Sequence, residues 1–267
     1  MDICCARNKM SRKYIKLKEI GKTCNSQVSK RVRINTCRVV AVKKYRKNAS
    51  DLEKIKKEIN ILKEVSHENL VKMIDWEENE KNVYVVTEHL RGRTLREELA
   101  LGRTMEPRCV RKVVTSLIKA LSHVHSLKIY HMDVKTSNVI VSRNFNDVRL
   151  IDLGNAEKFP GENTLTLSKS GTPRFAAPEF GLSRGCCPFK ADVWSLGVVV
   201  AHCVSQSVRR INLAVFVADM RNCLVEKLKE ECGDEGVVKL VGRMCQYHPS
   251  ARPPMEKLNA DWLAENS

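Results

Sequence analysis

The sequence has no apolar run long enough to cross a bilayer. Its longest, roughly Val193 to Val204, is broken by Ser195 and His202 and falls short of the ~20 residues that a spanning helix needs. It reads as a buried helix. No apolar core follows the start at Met1-Asp2-Ile3-Cys4-Cys5-Ala6-Arg7, so a secretory signal is not expected. Asp2 stands where a myristoylation pattern needs glycine. Aromatics make up only 5% of the chain, which leaves little to stack on single-stranded bases. Paired Cys-x-x-Cys motifs, the mark of a zinc ribbon, are absent. The eleven cysteines are an odd number and include the adjacent pairs Cys4-Cys5 and Cys186-Cys187. Without a secretory signal they read as free thiols of a reducing compartment, so the expected location is intracellular, in cytoplasm or nucleus. Nothing in the sequence favours palmitoylation of Cys4 or Cys5.

Positive charge is what the chain has in excess. Lysine and arginine number 47 against 31 acidic residues, a formal net charge of +16. Such a surface attracts polyanions. The basic residues are scattered from Lys9 to Lys257 without a long run, so acidic or phosphorylated protein partners are expected and specific nucleic-acid recognition is not. At 43% hydrophobic and 29% charged residues, the composition is that of an ordinary globular protein.

No repeat or Pro/Gly/Ser-rich linker divides the 267 residues. In the first third, Tyr14 to Ile20, Val39 to Lys43 and Val83 to Thr87 are short β-branched runs bounded by polar turns. Between them Ser50-Asp51-Leu52-Glu53 reads as a capping box, followed by Leu52, Ile55, Ile59 and Leu62 at helical spacing. Beyond about Thr94 the pattern becomes helical, with Val110–Val124, Asp192–Val204, Leu213–Glu231 and Gly236–Cys245 suited to helices and a β-rich interlude at Val139–Ile151. A β-rich portion followed by an α-rich one predicts an α+β protein of two lobes with a cleft between them.

Three places carry candidate chemistry. Glu58 falls on the inward side of the capped helix, where a carboxylate is costly unless a cation meets it. Lys43, closing Val39-Val40-Ala41-Val42, is the natural cation. A solvated Glu58 at the helix edge stays open. Gly21 to Val28 could bring backbone N–H groups to a phosphate, although a plain hairpin would look the same. The densest gathering is His131-Met132-Asp133-Val134-Lys135-Thr136-Ser137-Asn138. Here Asp133 can accept a hydroxyl proton, Lys135 can neutralise a transferring phosphoryl group, and Asn138 can ligate a metal. Asp152, in Leu150-Ile151-Asp152-Leu153-Gly154, adds a hard oxygen donor suited with Asn138 to Mg²⁺.

In this order Val40-Ala41-Val42-Lys43, Glu58, His131 to Asn138, Asp152-Leu153-Gly154 and Ala177-Pro178-Glu179 resemble the signature set of protein kinases. Asp192 to Gly197 and Arg252 fit the same pattern, and the resemblance covers about Tyr14 to Leu263. It implies a bilobal kinase fold: a short extension at 1–13, then a kinase domain at 14–263 with an N-lobe of about 14–88 and a C-lobe of about 92–263. It also implies ATP and Mg²⁺ as cofactors. Adenine would bond the backbone of Glu88 and Leu90, with Thr87 behind it and Val28, Ala41 and Ile140 around it. Lys43, held by Glu58, would grip phosphates; Asn138 and Asp152 would hold Mg²⁺; Asp133 would orient the acceptor hydroxyl. Lys135 and Gly171-Thr172 resemble the Ser/Thr branch, which implies a non-specific serine/threonine protein kinase acting on protein substrates, as a monomer.

Three departures qualify this expectation. Thr23 and Ser26 replace the second and third glycines after Gly21, which puts ATP affinity in question. Met132 replaces the arginine that normally orders a phosphorylated activation segment, so phosphorylation within Asn155 to Thr172 is not expected to be required. A hydrophobic residue there gives a faint resemblance to Mos-type kinases. Leu153 replaces the usual phenylalanine. The rival reading is a pseudokinase scaffold that binds nucleotide weakly.

Overall fold

The computed structural model describes residues 9–23, 25–48, 51–102, 105–161, 164–166, 171–181, 185–210 and 220–266. The chain divides into two compact units, one of Met1–Ser66 and Val71–Leu90, the other of His67–Leu70 and Arg91–Ser267. The first is β-rich and the second α-rich, so the protein is α+β.

In the first unit a short helix, α1 (Lys9–Lys13), leads into β1 (Tyr14–Lys22), β2 (Ser26–Arg33), β3 (Val39–Arg46), α2 (Leu52–Glu64), β4 (Met73–Glu78) and β5 (Asn82–Glu88). The strands form one antiparallel sheet in the order β1-β2-β3-β5-β4. Alternation along β3 decides what each face holds. Val40 and Val42 enter a core with Met10, Tyr14, Tyr84 and Val86. Ala41, Lys43 and Tyr45 take the other face, and Lys43 and Tyr45 meet Glu58 of α2 there. The three expected strands form and extend by one to three residues. The expected capping box does not take that form: α2 starts after Asp51, whose side chain makes no capping bond, and Ser50 lies outside the described residues. A reciprocal box occurs instead at Thr94. Its Oγ1 accepts from Glu97 N–H at 3.2 Å, while Glu97 Oε2 accepts from Thr94 N–H at 2.8 Å. Two orphan donors at the start of α3 (Leu95–Leu99) are thereby satisfied.

The second unit continues from β6 (Arg93–Thr94) and α3 through α4 (Pro107–Ser126), β7 (Ile129–Tyr130), β8 (Val139–Val141), β9 (Val148–Leu150) and β10 (Glu157–Lys158). After these come α5 (Pro188–Val204), α6 (Gln206–Arg210), α7 (Met220–Glu231), α8 (Glu235–Met244) and α9 (Met255–Asn266). Within the expected helix Leu213–Glu231, residues 213–219 lie outside the described residues. The run from Val193 to Val204 is indeed buried, forming most of α5 with Val193, Leu196 and Val198 to Ala201 at most 1% exposed. Gly197 permits close packing of α8, because a Cβ there would lie 2.6 Å from Cys245 Sγ. Seven cysteines, Cys37, Cys109, Cys186, Cys187, Cys203, Cys232 and Cys245, are free. Burial pushes the thiols of Cys203 and Cys245 up to about 12, so they are inert. No helix among the described residues is long and apolar enough to cross a membrane.

Candidate active site

In the first unit, Lys43 Nζ lies 3.2 Å from Glu58 Oε1, and Glu58 is 5% exposed. The carboxylate is therefore paired, not solvated. A second partner was missed in the sequence: the Tyr45 hydroxyl donates to Glu58 Oε2. The signal was there, since Tyr45 follows Lys43 by two residues and so shares its face of β3. Burial, opposed by Lys43 and reinforced by Glu58, holds the Tyr45 hydroxyl well above its ordinary pKa, which keeps it a donor.

Val28 of β2 pairs in register with both Gly21 and Lys43, and Ala41 pairs with Thr87. Glu88 N–H donates to the Lys72 carbonyl at 3.0 Å and Glu88 Oε1 accepts from Lys72 N–H at 2.8 Å. The tip of the β1–β2 hairpin is closed by the two residues that replace glycines. Thr23 N–H donates to the Ser26 carbonyl at 2.8 Å, Ser26 N–H donates to Thr23 Oγ1 at 3.1 Å, and the two hydroxyls lie 2.8 Å apart. Cys24, between them, lies outside the described residues.

In the second unit the segment 131–138 is fixed from α5. Asp192, 1% exposed, accepts from His131 N–H and Met132 N–H at 2.8 Å each, and its Oδ2 lies 2.9 Å from His125 Nε2. These bonds hold Met132 at φ 59°, a left-handed conformation that is costly for a side-chain-bearing residue. Its side chain packs with Tyr130 and Phe189, flanked by Phe159 and Cys187. His131 Nδ1 accepts from Asp133 N–H at 3.3 Å and its Nε2 faces the Ile151 carbonyl at 3.2 Å. A carbonyl can only accept, so this pair of contacts fixes the proton on Nε2.

Asp133, Lys135 and Thr172 form a closed triangle. Lys135 Nζ donates to Asp133 Oδ2 at 2.6 Å and to Thr172 Oγ1 at 2.9 Å, and Thr172 Oγ1 donates to Asp133 Oδ1 at 2.8 Å. Gly171, at φ +125°, brings Thr172 to this place; a Cβ on it would lie 3.0 Å from the Met132 carbonyl. Asn138 Nδ2 donates to the Asp133 carbonyl at 2.9 Å and to Asp133 Oδ2 at 3.3 Å. With its nitrogen so committed, the amide presents its oxygen as the group available to a ligand. Ile151 N–H donates to the Asn138 carbonyl at 2.8 Å, which brings Asp152, itself left-handed at φ 65°, close to Asn138. Ile140 follows on β8. Among the described residues no three His, Cys, Asp or Glu side chains are grouped to hold a metal. A cation here would take the Asn138 oxygen and the Asp152 carboxylate and complete its shell with water or phosphate oxygens, a donor set that fits Mg²⁺.

Further along, Arg252 grips Glu179 in a buried fork, with Nη1–Oε1 at 2.6 Å and Nη2–Oε2 at 2.8 Å. Its guanidinium carbon lies 4.9 Å from the Trp194 ring centroid. This ion pair joins the segment after Thr172 to the turn that precedes α9. α5 is tied in by Arg252 Nη1, which also donates to the Lys190 carbonyl at 2.9 Å, and by Ser195 Oγ, which donates to the Phe175 carbonyl at 2.8 Å. A family model for the protein kinase domain matches residues 14–263. The chain belongs to the protein kinase family. Its α+β architecture is that of a kinase, and phosphotransfer from ATP to protein substrates is the general chemistry of that family.

Proposed function

We propose that this protein kinase is catalytically active, transfers the ATP γ-phosphoryl group to Ser/Thr hydroxyls, and does not depend on activation-segment phosphorylation. The Asp133–Lys135–Thr172 triangle carries the reading. In it the carboxylate is aimed by two hydrogen bonds at a place where a substrate hydroxyl would give up its proton, and Lys135 supplies positive charge for the transferred group. Lys43, oriented by Glu58, would bind α- and β-phosphate oxygens. The Glu88 and Leu90 backbone would meet adenine, with Gly21, Val28, Ala41 and Thr87 around it. When bound at Asn138 and Asp152, Mg²⁺ would neutralise phosphate charge. The apolar burial of Met132 supports independence from phosphorylation, since that position offers no cation to a phosphate.

The test is transfer of labelled phosphate from ATP to generic protein substrates by wild type, Asp133→Ala and Lys43→Met. Label on serine or threonine from wild type alone supports the reading, and equal signal from all three refutes it. One observation favours the pseudokinase alternative: the hydroxyl-closed hairpin tip. That alternative predicts nucleotide binding with no transfer above the Asp133→Ala background.

A further inference from the structure

The second unit holds a group of cations that the proposed transfer chemistry leaves unused. Arg96 of α3, Arg174 beyond Thr172 and Arg209 of α6 line one pocket together with the neutral His202 of α5, and Lys135 and Thr172 line it too. Among the described residues no acidic side chain lines it, and none of the three arginines forms an ion pair. Two carboxylates act close by and both are already engaged: Asp133 by Lys135 and Thr172, and Glu231, which partly offsets Arg209, by the Gln206 N–H at 2.8 Å.

The pocket is built, not a chance meeting of surface side chains. Arg209 Nη1 donates to the Leu99 carbonyl at the end of α3 at 2.8 Å, and its Nε donates to the Ser205 carbonyl at 3.3 Å. Arg174 Nη2 donates to the Arg209 carbonyl at 2.6 Å. Among the described residues, the donor Arg209 Nη2 and the ring nitrogen His202 Nε2 are buried without a partner, and His202, 4% exposed, is held beside the Phe175 ring at 5.1 Å. Desolvation, followed by the charges of Arg174 and Arg209, pushes His202 down to about 4. A buried guanidinium donor without an acceptor, among cations that Glu231 offsets only in part, is unfavourable unless an anion arrives.

The structure assigns this pocket to an anionic side chain of the protein substrate, a phosphorylated residue or a carboxylate, lying close in sequence to the acceptor hydroxyl. The assignment rests on the kinase reading above. Proximity to the acceptor follows from the shared walls, Lys135 and Thr172. Guanidinium groups match phosphate and carboxylate oxygens geometrically, and the net charge of +16 draws such a substrate in.

Four peptides, each with one acceptor serine, would differ only in flanking residues: alanine, aspartate, phosphoserine or arginine. The expected order of kcat/KM is phosphoserine and aspartate above alanine by about tenfold, and arginine lowest. A phosphoserine peptide far above aspartate identifies a primed substrate, and similar values identify an acidic one. The double variant Arg96→Glu/Arg174→Glu, altered at two exposed positions, should lower the anionic-to-alanine ratio about tenfold. Equal kcat/KM for all four peptides, or a ratio unmoved by the double variant, overturns the assignment. Should wild type phosphorylate no peptide, the kinase reading fails separately. Fluorescence anisotropy with the same peptides then judges the pocket, and equal affinity for phosphoserine and alanine peptides overturns it.

Discussion

Met132 combines a left-handed backbone with an apolar side chain sealed among Tyr130 and Phe189. Replacing it with arginine would bury a cation without a counter-charge, at a cost of about 3 kcal/mol or more. Met132→Arg should therefore lower the thermal midpoint clearly, whereas Met132→Leu should shift it only slightly. Alanine at Thr164, Thr166, Ser168 and Ser170 should leave the turnover rate within about twofold, less than the loss expected where an arginine–phosphate pair orders the segment; Ser168 and Ser170 lie outside the described residues. Tyr45→Phe removes one of two partners from a buried carboxylate and should cost about 1–2 kcal/mol in denaturant titration. The grouping of His131, Asp133, Lys135 and Asn138 was legible in the sequence, because they sit within eight positions. Tyr45 was not singled out, since its role exists only once the face of β3 that it shares with Lys43 is known.

Among the elements, β2 and β4 were the hardest to read. Their sequences, Ser-Gln-Val-Ser-Lys-Arg-Val-Arg and Met-Ile-Asp-Trp-Glu-Glu, carry too many charges for a strand signal, and it is pairing to β1, β3 and β5 that makes them strands. The sequence reading passed over Thr94-Leu95-Arg96-Glu97, which meets the capping-box pattern and closes it; the box read at Ser50 begins outside the described residues. Thr94→Ala should destabilise the protein by about 1 kcal/mol. At the β1–β2 tip, hydroxyl bonds replace the freedom that glycines would give. The double variant Thr23→Gly/Ser26→Gly should lower the KM for ATP several-fold with a smaller change in kcat, read by ATP titration; an unchanged KM would mean that the clip does not limit nucleotide binding. The clip depends on the Gly21–Val28 register, which sequence spacing alone does not specify.

For the molecule as a whole, acid sensitivity follows from His202. Its ordinary value of 6.5 falls to about 4 in the folded protein, so between those limits the unfolded chain binds more protons than the native one. Stability from this neutral histidine is complete above about pH 6.5 and declines by roughly 3 kcal/mol as the pH falls toward 4. His202→Gln should flatten that part of the stability–pH curve relative to wild type, measured by denaturation at stepped pH. The surroundings of this group were invisible in the sequence, because α3, α5, α6 and the turn at Arg174 meet only in three dimensions.

Asp192 links the molecule's assembly to its competence. The bend at Met132 is held by a carboxylate sixty residues further along the chain, and no local bond among those described here replaces it. Long-range closures of this kind form late, after the loop entropy between the partners has been overcome. On a ribosome that has not yet produced α5, the segment 131–138 lacks its fastener, so the order of synthesis itself keeps the bend at Met132 unset in the unfinished chain.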